Sequence, residues 1–181
     1  MATRAVLTYA DYAALPDDGR RYELHEGELR VTPAPGTRHQ AILMNLAALL
    51  HAHARAHGLG QVFPAPTDVI LSDITVLQPD IAFVATDHMQ AISARAIEGP
   101  PTLVIEVLSP STAHLDRGRK RELYAQYRAP WLWIVDPDQR VIEAARLAEG
   151  TYRPVARLSG TTSLALPPFL DLVIEPAEVW P

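Results

Sequence analysis

One carboxylate interrupts the most apolar stretch of the chain. Glu106 lies in the segment 102–108, whose other residues are nearly all apolar and often β-branched. Such a run predicts a central strand that is buried on both faces of a sheet. Because a buried carboxylate is costly unless it is paired, hydrogen-bonded or bound to a cation, we expect Glu106 to have a partner.

A second carboxylate, Asp80, follows Gln78-Pro79 at the start of a strand predicted over 80–84. Two neighbouring carboxylates and a backbone carbonyl, here that of Val107, form the oxygen-rich set of ligands that Mg²⁺ prefers. The alternative is that each carboxylate only pairs with an arginine. Taken by themselves, the residues leave both interpretations open.

Lys120 is the only lysine in the chain, which otherwise uses arginine for positive charge. With Asp116, Leu123, Tyr124 and Tyr127 it follows helical spacing, so it lies beside the apolar stripe of a predicted helix. A compact ammonium there could orient a water molecule and offset charge on a phosphate oxygen, which a delocalised guanidinium does less readily. The alternative is an ordinary charge on a solvated helix face.

Arginines surround this lysine, and Arg117, Arg119 and Arg121 form a predicted strip for binding nucleic acid. The net charge of −5 argues against a protein that packages nucleic acid, because such proteins normally carry a basic face. An enzyme that acts on nucleic acid needs only a local basic strip.

Three histidines near the end of another predicted helix, His51, His53 and His57, suggest a zinc site, because the last two are one turn apart. No motif supplies a further ligand. A surface helix end rich in alanine and histidine is the preferred interpretation.

The composition excludes several classes of protein. The chain has 181 residues, 48% of them hydrophobic and 20% charged, which predicts one domain over 1–181. No apolar run approaches the ~20 residues of a membrane span, and the N-terminus lacks the apolar region of a signal peptide, so we expect a cytoplasmic protein without membrane contact. The absence of cysteine excludes disulfides, thiolate nucleophiles and cysteine-ligated metals.

The predicted elements alternate along the chain, without repeats or long linkers. A capping box of Thr8 and Asp11 opens a short helix over 9–15, and Glu26-Gly27 forms the turn of a hairpin. Predicted helices cover 39–57, the irregular segment 87–97, and a segment from Ser111 or Thr112 to about residue 128. Predicted strands cover 21–25, 28–32, 61–63, 68–71, 80–84, 102–108 and 131–135, followed by antiparallel strands within 140–166 that turn at 149–150 and 159–160.

The order of these motifs resembles the Uma-two family of restriction-endonuclease-like proteins, over about residues 7–169. The matching motifs, in chain order, are Tyr22-Glu23-Leu24, Glu26-Gly27-Glu28-Leu29, His39-Gln40, Gln78-Pro79-Asp80, the block 104–112, Asp116 with Lys120 and Tyr124, and the block 133–137. The resemblance implies an α/β fold of the PD-(D/E)XK type, with a central mixed sheet flanked by helices.

The resemblance also implies roles for single residues. Asp80 and Glu106 would be metal ligands, but position 108, where the superfamily expects lysine, is leucine. The family is thought to take its lysine from the following helix, which here means Lys120. Glu23 would be an additional acid near the metal and His39 would line the site. A strand-face ion pair for Glu23, and a helix cap or core position for His39, are the alternatives.

The activity implied is hydrolysis of phosphodiester bonds in nucleic acid, with DNA as the expected substrate and Mg²⁺ or Mn²⁺ as cofactor. The alternatives are a non-catalytic module that binds nucleic acid or protein on the same fold, and a hydrolase of small phosphoesters. We further expect a homodimer, because cleavage of a duplex needs two sites and because the segments 152–154 and 167–169 contain aromatic and proline residues typical of exposed contacts.

Overall fold

The computed structural model describes residues 5–109 and 116–181. Its strands form two mixed sheets and one small pair. The first sheet, in the order β2-β1-β5-β4-β7, contains β1 (Arg21–His25), β2 (Glu28–Thr32), β4 (Val69–Ser72), β5 (Thr75–Leu77) and β7 (Ile97–Glu98). The second, in the order β11-β10-β9-β8-β6-β3, contains β3 (Gly60–Pro64), β6 (Ile81–Ala85), β8 (Leu103–Val107), β9 (Trp131–Asp136), β10 (Val141–Ala148) and β11 (Thr151–Ser159). Strands β12 (Leu164–Ala165) and β13 (Val173–Ile174) pair with each other.

The helices lie beside these sheets. They are α1 (Tyr9–Ala13), α2 (Thr37–Ala56), a 3₁₀ helix (Thr86–Ala91), a π-helix (Asp116–Lys120) that continues into α3 (Arg121–Gln126), and α4 (Pro176–Val179). The predicted capping box at α1 is confirmed, since both of its hydrogen bonds between Thr8 and Asp11 are present. The predicted cap at Ser111 or Thr112 lies outside the described residues.

The long helix α2 packs its apolar stripe on the second sheet, as its periodicity predicts. Ile42, Leu46 and Leu50 are fully buried in one cluster with residues of β6, β8 and β9. The helix begins at Thr37, two residues earlier than predicted, and ends before Gly58, whose φ of 63° continues the chain in a left-handed conformation.

Strand β8 lies in the interior of the second sheet, as predicted. It pairs with β6 in antiparallel fashion and with β9 in parallel fashion, and all of its residues are buried. Leu103, Ile105 and Val107 contribute to the core under α2, whereas Val104 packs in the opposite core with α3. Because side chains alternate along a strand, Glu106 points to the α3 side.

Of the three predicted turns between antiparallel strands, two are confirmed as hairpins, whereas the turn at 159–160 ends β11, and the next strand, β12, pairs with β13 instead. Glu26-Gly27 joins β1 to β2 with φ values of 50° and 82°, and Glu149-Gly150 joins β10 to β11 with 51° and 78°. Positive φ at both central residues gives the turn a twist that matches the flanking strands.

The prediction for 87–97 is wrong in part, because only Thr86–Ala91 is helical, as a 3₁₀ helix, and the segment ends in β7. The expectation that 152–154 and 167–169 expose aromatic side chains is also wrong. Tyr152 and Phe169 are 5% and 4% exposed, and Phe169 packs edge-on against Phe83 and Trp133.

The chain passes from the first sheet to the second through Gln78-Pro79-Asp80, between β5 and β6. This link therefore lies where the two sheets meet. Within the described ranges, no helix combines the length and apolarity needed to cross a bilayer.

Candidate active site

A cluster of buried charges lies at the meeting point of the two sheets. Glu23 belongs to β1, Asp80 to the link, Glu106 to β8 and Lys120 to the end of the π-helix, and each is at most 5% exposed. Four separate segments of the chain thus place charged groups in one buried region, although burial of a charge is unfavourable without compensation.

Lys120 holds the cluster together. Its Nζ lies 2.7 Å from Glu106 Oε1 and 3.1 Å from Glu23 Oε1, with Asp116 Oδ1 at 3.7 Å. The ammonium therefore points inward, on the side that the helical spacing predicts.

Asp80 is fixed by donors on three sides. Its Oδ2 accepts a 2.8 Å hydrogen bond from the Val107 amide and lies 3.1 Å from His39 Nε2, while Oδ1 lies 3.4 Å from Arg21 Nη1. The N–H and C=O of one extended residue point to the same side of a strand, so we expect the Val107 carbonyl on the side of Asp80 to which its amide donates.

Glu106 and Glu23 have further partners. The Tyr124 hydroxyl donates a 2.6 Å hydrogen bond to Glu106 Oε1. Glu23 Oε1 accepts from the Gln78 amide at 2.8 Å, and Oε2 lies 3.1 Å from His25 Nε2. Glu23 thereby ties β1 to the link that carries Asp80.

The carboxylates differ in the charge state that their surroundings favour. Burial raises the pKa of Glu106, and although Lys120 opposes this effect, the other carboxylates add to it and the pKa reaches about 8. Burial also raises the pKa of Glu23, but Lys120 and His25 outweigh it and bring that pKa to about 2. For Asp80 the hydrogen bond from His39 and the nearby charges overcome burial and lower the pKa.

The pKa of Lys120 stays above its ordinary value. Burial alone would lower it, but the attraction of Glu106, Glu23 and Asp116 is larger. The ammonium is therefore charged at neutral pH, and Glu106 is the carboxyl group of the cluster whose surroundings most favour the protonated form.

Two adjoining cavities reach this cluster. The inner one, about 170 Å³, is lined by Asp80, Glu106, Lys120 and His39 together with residues of the loop before α2. The outer one, about 670 Å³, shares Gly36, His39 and Ser109 with the inner cavity. Asp80 and Glu106 are thus accessible from one common space.

The residues lining the inner cavity suit a divalent cation. Asp80 and Glu106 offer carboxylate oxygens beside the Val107 carbonyl, which is the hard oxygen set that Mg²⁺ prefers. Even with Glu106 protonated, Glu23, Asp80 and Asp116 carry three negative charges against the two positive charges of Lys120 and the half-buried Arg21, so negative charge is in excess. Within 5–109 and 116–181 no group of three His, Asp or Glu side chains forms a metal site by itself, so the backbone carbonyl is part of the expected set.

The three arginines predicted to bind nucleic acid point to different places. Arg117 pairs with Asp136 at 2.8 Å and lines the outer cavity. Arg119 pairs with Glu26, and Arg121 donates to the Tyr152 carbonyl at 2.7 Å and packs over the Tyr152 ring. Of the three, Arg117 is the one beside the candidate site; binding by all three stays a prediction.

Sequence reasoning gave no role to several residues of the site. Tyr124 follows Lys120 by four residues, which places both on one face of the helix. His25 follows Glu23 by two residues, which places both on one face of β1. Arg21 contacts Gln78 and Asp80 only through the fold, since its Nη2 donates to the Gln78 carbonyl at 2.8 Å and its Nη1 lies 3.4 Å from Asp80 Oδ1. No local signal identifies these contacts.

The three histidines at the C-terminal end of α2, which are His51, His53 and the capping residue His57, lie away from this site. The rings of His53 and His57 are 4.5 Å apart between centroids, and His53 also meets the edge of Phe169. Burial, and secondarily His57, lowers the pKa of His53. The part of the chain that the structure describes offers no third ligand for a zinc ion there.

Comparisons with known proteins agree with this architecture. The sequence model of the Uma2 family, described as "Putative restriction endonuclease", matches residues 9–177. A solved structure described as "a putative nuclease belonging to DUF820", from Anabaena variabilis, superposes with a TM-score of 0.78 at 17% identity, covering 96% of this chain and 97% of that one. The chain therefore has the restriction-endonuclease-like fold. No curated protein matches the sequence.

Proposed function

Because the chain belongs to the Uma2 family of restriction-endonuclease-like proteins, we propose that it is a metal-dependent endonuclease that hydrolyses phosphodiester bonds of DNA. The observation that carries this proposal is the cluster itself. Asp80 and Glu106 line one cavity, and the ammonium of Lys120 lies 2.7 Å from Glu106. This combination of two carboxylates and one lysine suits phosphoryl transfer by water.

Asp80, Glu106 and the Val107 carbonyl would hold Mg²⁺, for which Mn²⁺ can substitute. A bound ion supplies a water of lowered pKa and polarises a phosphoryl oxygen. The chain orients its ligands in advance, because the Val107 amide and His39 fix Asp80 while Tyr124 fixes Glu106. Such outer hydrogen bonds determine how well ligands are placed.

Lys120 would act on the reacting groups. Its ammonium is buried, charged and held between Glu23 and Glu106, so its third N–H can donate a hydrogen bond to the attacking water or to a phosphate oxygen. Arg21, whose side chain is 19% exposed beside Asp80, can contact the same phosphate from the other side.

Cleavage of supercoiled plasmid by the purified protein tests the proposal. We expect cleavage with Mg²⁺ or Mn²⁺, none with EDTA, and loss of activity in Asp80→Asn and Glu106→Gln. The exposed Asp171→Asn is the matched control and should cleave like the wild type. Mg²⁺ should also raise the melting temperature of the wild type but not that of Asp80→Asn, because a ligand stabilises the state that binds it.

The competing function is a module that binds nucleic acid without cutting it. The internal pairing of Glu106 with Lys120 favours this alternative, because it satisfies both groups without a metal. Binding of plasmid with no cleavage under any divalent ion, and no thermal shift with Mg²⁺, would replace the nuclease by this module. Cleavage of RNA alone would keep the site and change the substrate.

A further inference from the structure

The outer cavity is lined by charged groups from three different parts of the chain. We propose that this arginine groove, formed by Arg38 of α2, Arg117 of the π-helix and the turn 136–139, binds the phosphate and sugar of the nucleotide next to the cleaved bond. The inference rests on the proposed function and assigns the path of the substrate strand on one side of the site.

The groove is continuous with the site. Gly36, His39 and Ser109 line both cavities, and His39 also contacts Asp80. A phosphate bound by Lys120, and by a metal ion that Asp80 would hold, would therefore have its neighbouring nucleotide beside the groove. A volume of about 670 Å³ is in the range of pockets that hold small organic ligands, which is the size class of a nucleotide.

Both arginines are held by pairs that a phosphate can replace. Arg38 Nη1 lies 3.0 Å from Asp138 Oδ1, with the two side chains 50% and 80% exposed, and its Nη2 donates to the Pro137 carbonyl, a contact that a phosphate oxygen would also have to replace. Arg117 Nη2 lies 2.8 Å from Asp136 Oδ2, with the two side chains 49% and 14% exposed. A pair as exposed as Arg38–Asp138 contributes little, whereas a guanidinium binds phosphate with two parallel hydrogen bonds.

Asp136 does not depend on Arg117 for its hydrogen bonds. Its Oδ1 accepts from the amides of Asp138 and Gln139 at 3.1 and 3.0 Å. Arg117 can therefore turn from Asp136 to a phosphate while the carboxylate remains hydrogen-bonded.

The start of α2 adds a second argument for an anion. Its first turn contains Arg38 and His39 but no acidic residue, and no side chain caps it. A helix start normally favours acidic side chains, because its free amides and dipole attract negative charge. His39 is 8% exposed, lines the groove, and its Nδ1 has no hydrogen-bond partner within the described residues.

Binding of a fluorescein-labelled single-stranded oligonucleotide, measured by anisotropy in EDTA, tests the groove without cleavage. We expect Arg38→Gln and Arg117→Gln each to weaken binding about tenfold, because each removes a charge-assisted contact. Each should also reduce the slope of log affinity against log salt by about 0.7. Arg153→Gln, which removes an exposed arginine paired with Glu149, is the matched control and should leave both quantities unchanged.

A second pair of variants tests whether removing a competing carboxylate strengthens oligonucleotide binding. Asp138→Asn removes the carboxylate that competes for Arg38 and should tighten binding about two- to fivefold. Asp171→Asn makes the same change in net charge away from the groove and should leave the affinity within error.

The outcomes separate this inference from the proposed function. Plasmid cleavage with wild-type affinity in Arg38→Gln and Arg117→Gln would keep the nuclease and overturn the groove. Weaker binding by both variants without any cleavage would keep the groove on a non-catalytic module. An equal increase in oligonucleotide affinity in Asp138→Asn and Asp171→Asn would mean that only net charge matters, and would overturn the assignment of the groove. Urea unfolding of each variant shows whether the fold is retained.

Discussion

At the scale of single residues, Lys120 determines the charge balance of the site. It contacts Glu106 and Glu23 at hydrogen-bond distance and has Asp116 nearby, so its removal would leave carboxylates buried without a counter-charge. Breaking a buried ion pair on one side commonly costs about 3–5 kcal/mol. A test of its chemical role therefore has to conserve the charge.

Lys120→Arg conserves the charge and changes the chemistry. We expect cleavage to fall at least about 100-fold, because a bulkier, always protonated guanidinium cannot occupy the position of the ammonium or exchange its proton. The extra volume should lower the free energy of unfolding by about 1–3 kcal/mol. Plasmid cleavage and urea unfolding measure the two effects.

The exposed Arg153→Lys is the control for exchange between the two basic residues and should behave like the wild type in both assays. Cleavage by Lys120→Arg at a rate close to that of the wild type would remove Lys120 from the chemistry. The carboxylate site would remain.

Glu106 makes the stability of the metal-free protein depend on pH. Its pKa is about 8 in the folded protein, above the ordinary value of 4.5, so between these values the folded state binds more protons than the unfolded state. The free energy of unfolding therefore falls as pH rises through this window. Glu106→Gln lacks the titration, so its stability relative to the wild type should increase with pH, by on the order of a few kcal/mol in total.

Urea unfolding in EDTA, at intervals from about pH 5 to about pH 9, measures this difference. Glu178→Gln, an exposed carboxylate outside the site, is the control and should run parallel to the wild type. A parallel curve for Glu106→Gln would mean that Glu106 is already ionised at neutral pH in the metal-free protein.

At the scale of elements, the sequence is informative where local pattern and tertiary position agree. The apolar run around Glu106 predicts a buried central strand, and the periodicity of α2 predicts its packed face; both are present in the structure. Strands β5 and β7 have three and two residues, too few for a pattern, and they exist because neighbouring strands pair with them. The same reason explains the missed contacts of Arg21 with Gln78 and Asp80, which join distant segments.

Strand β3 shows how closely the backbone of one edge strand approaches its neighbour. Gly60 has a φ of 144°, and a Cβ atom there would lie 2.1 Å from the Val84 carbonyl oxygen. We expect Gly60→Ala to lower the free energy of unfolding by about 2–4 kcal/mol, because both the backbone and the pairing with β6 must shift.

Gly99→Ala separates the two causes. Gly99 has a φ of 112°, but beyond its chain neighbours no described atom lies within 4 Å of the position that a Cβ atom would take, so its substitution reports backbone strain alone. We expect a loss at Gly99 that is smaller by about 1–3 kcal/mol. If urea unfolding shows the same loss of unfolding free energy in Gly60→Ala and Gly99→Ala, β3 can move away from Val84 without an energetic cost.

At the scale of the whole molecule, the site depends on both sheets being in place. Glu23 comes from the first sheet and Glu106 from the second, and the link with Asp80 joins the two. With a net charge of −5 the chain does not attract nucleic acid overall, so binding has to come from local positive groups such as Arg38 and Arg117. The slope of log affinity against log salt should therefore be shallow, because only a small number of arginine–phosphate contacts is made.

The expected homodimer can be tested through its products. The described residues hold one cluster of buried carboxylates around Lys120, so under the proposed function one chain would cut one strand at a time. Two chains related by a twofold axis would present two such clusters to opposite strands, and closed twofold dimers are the commonest oligomers.

We expect a dimer by light scattering at micromolar concentration, and linear plasmid that appears together with the nicked form rather than long after it. Asp80→Asn mixed in excess with the wild type should shift the products to nicked circles, because mixed dimers carry one intact site, whereas a monomeric enzyme would show only dilution of its activity. A monomeric mass in solution, with nicking throughout, would contradict the dimer and leave the single-strand chemistry of each chain intact.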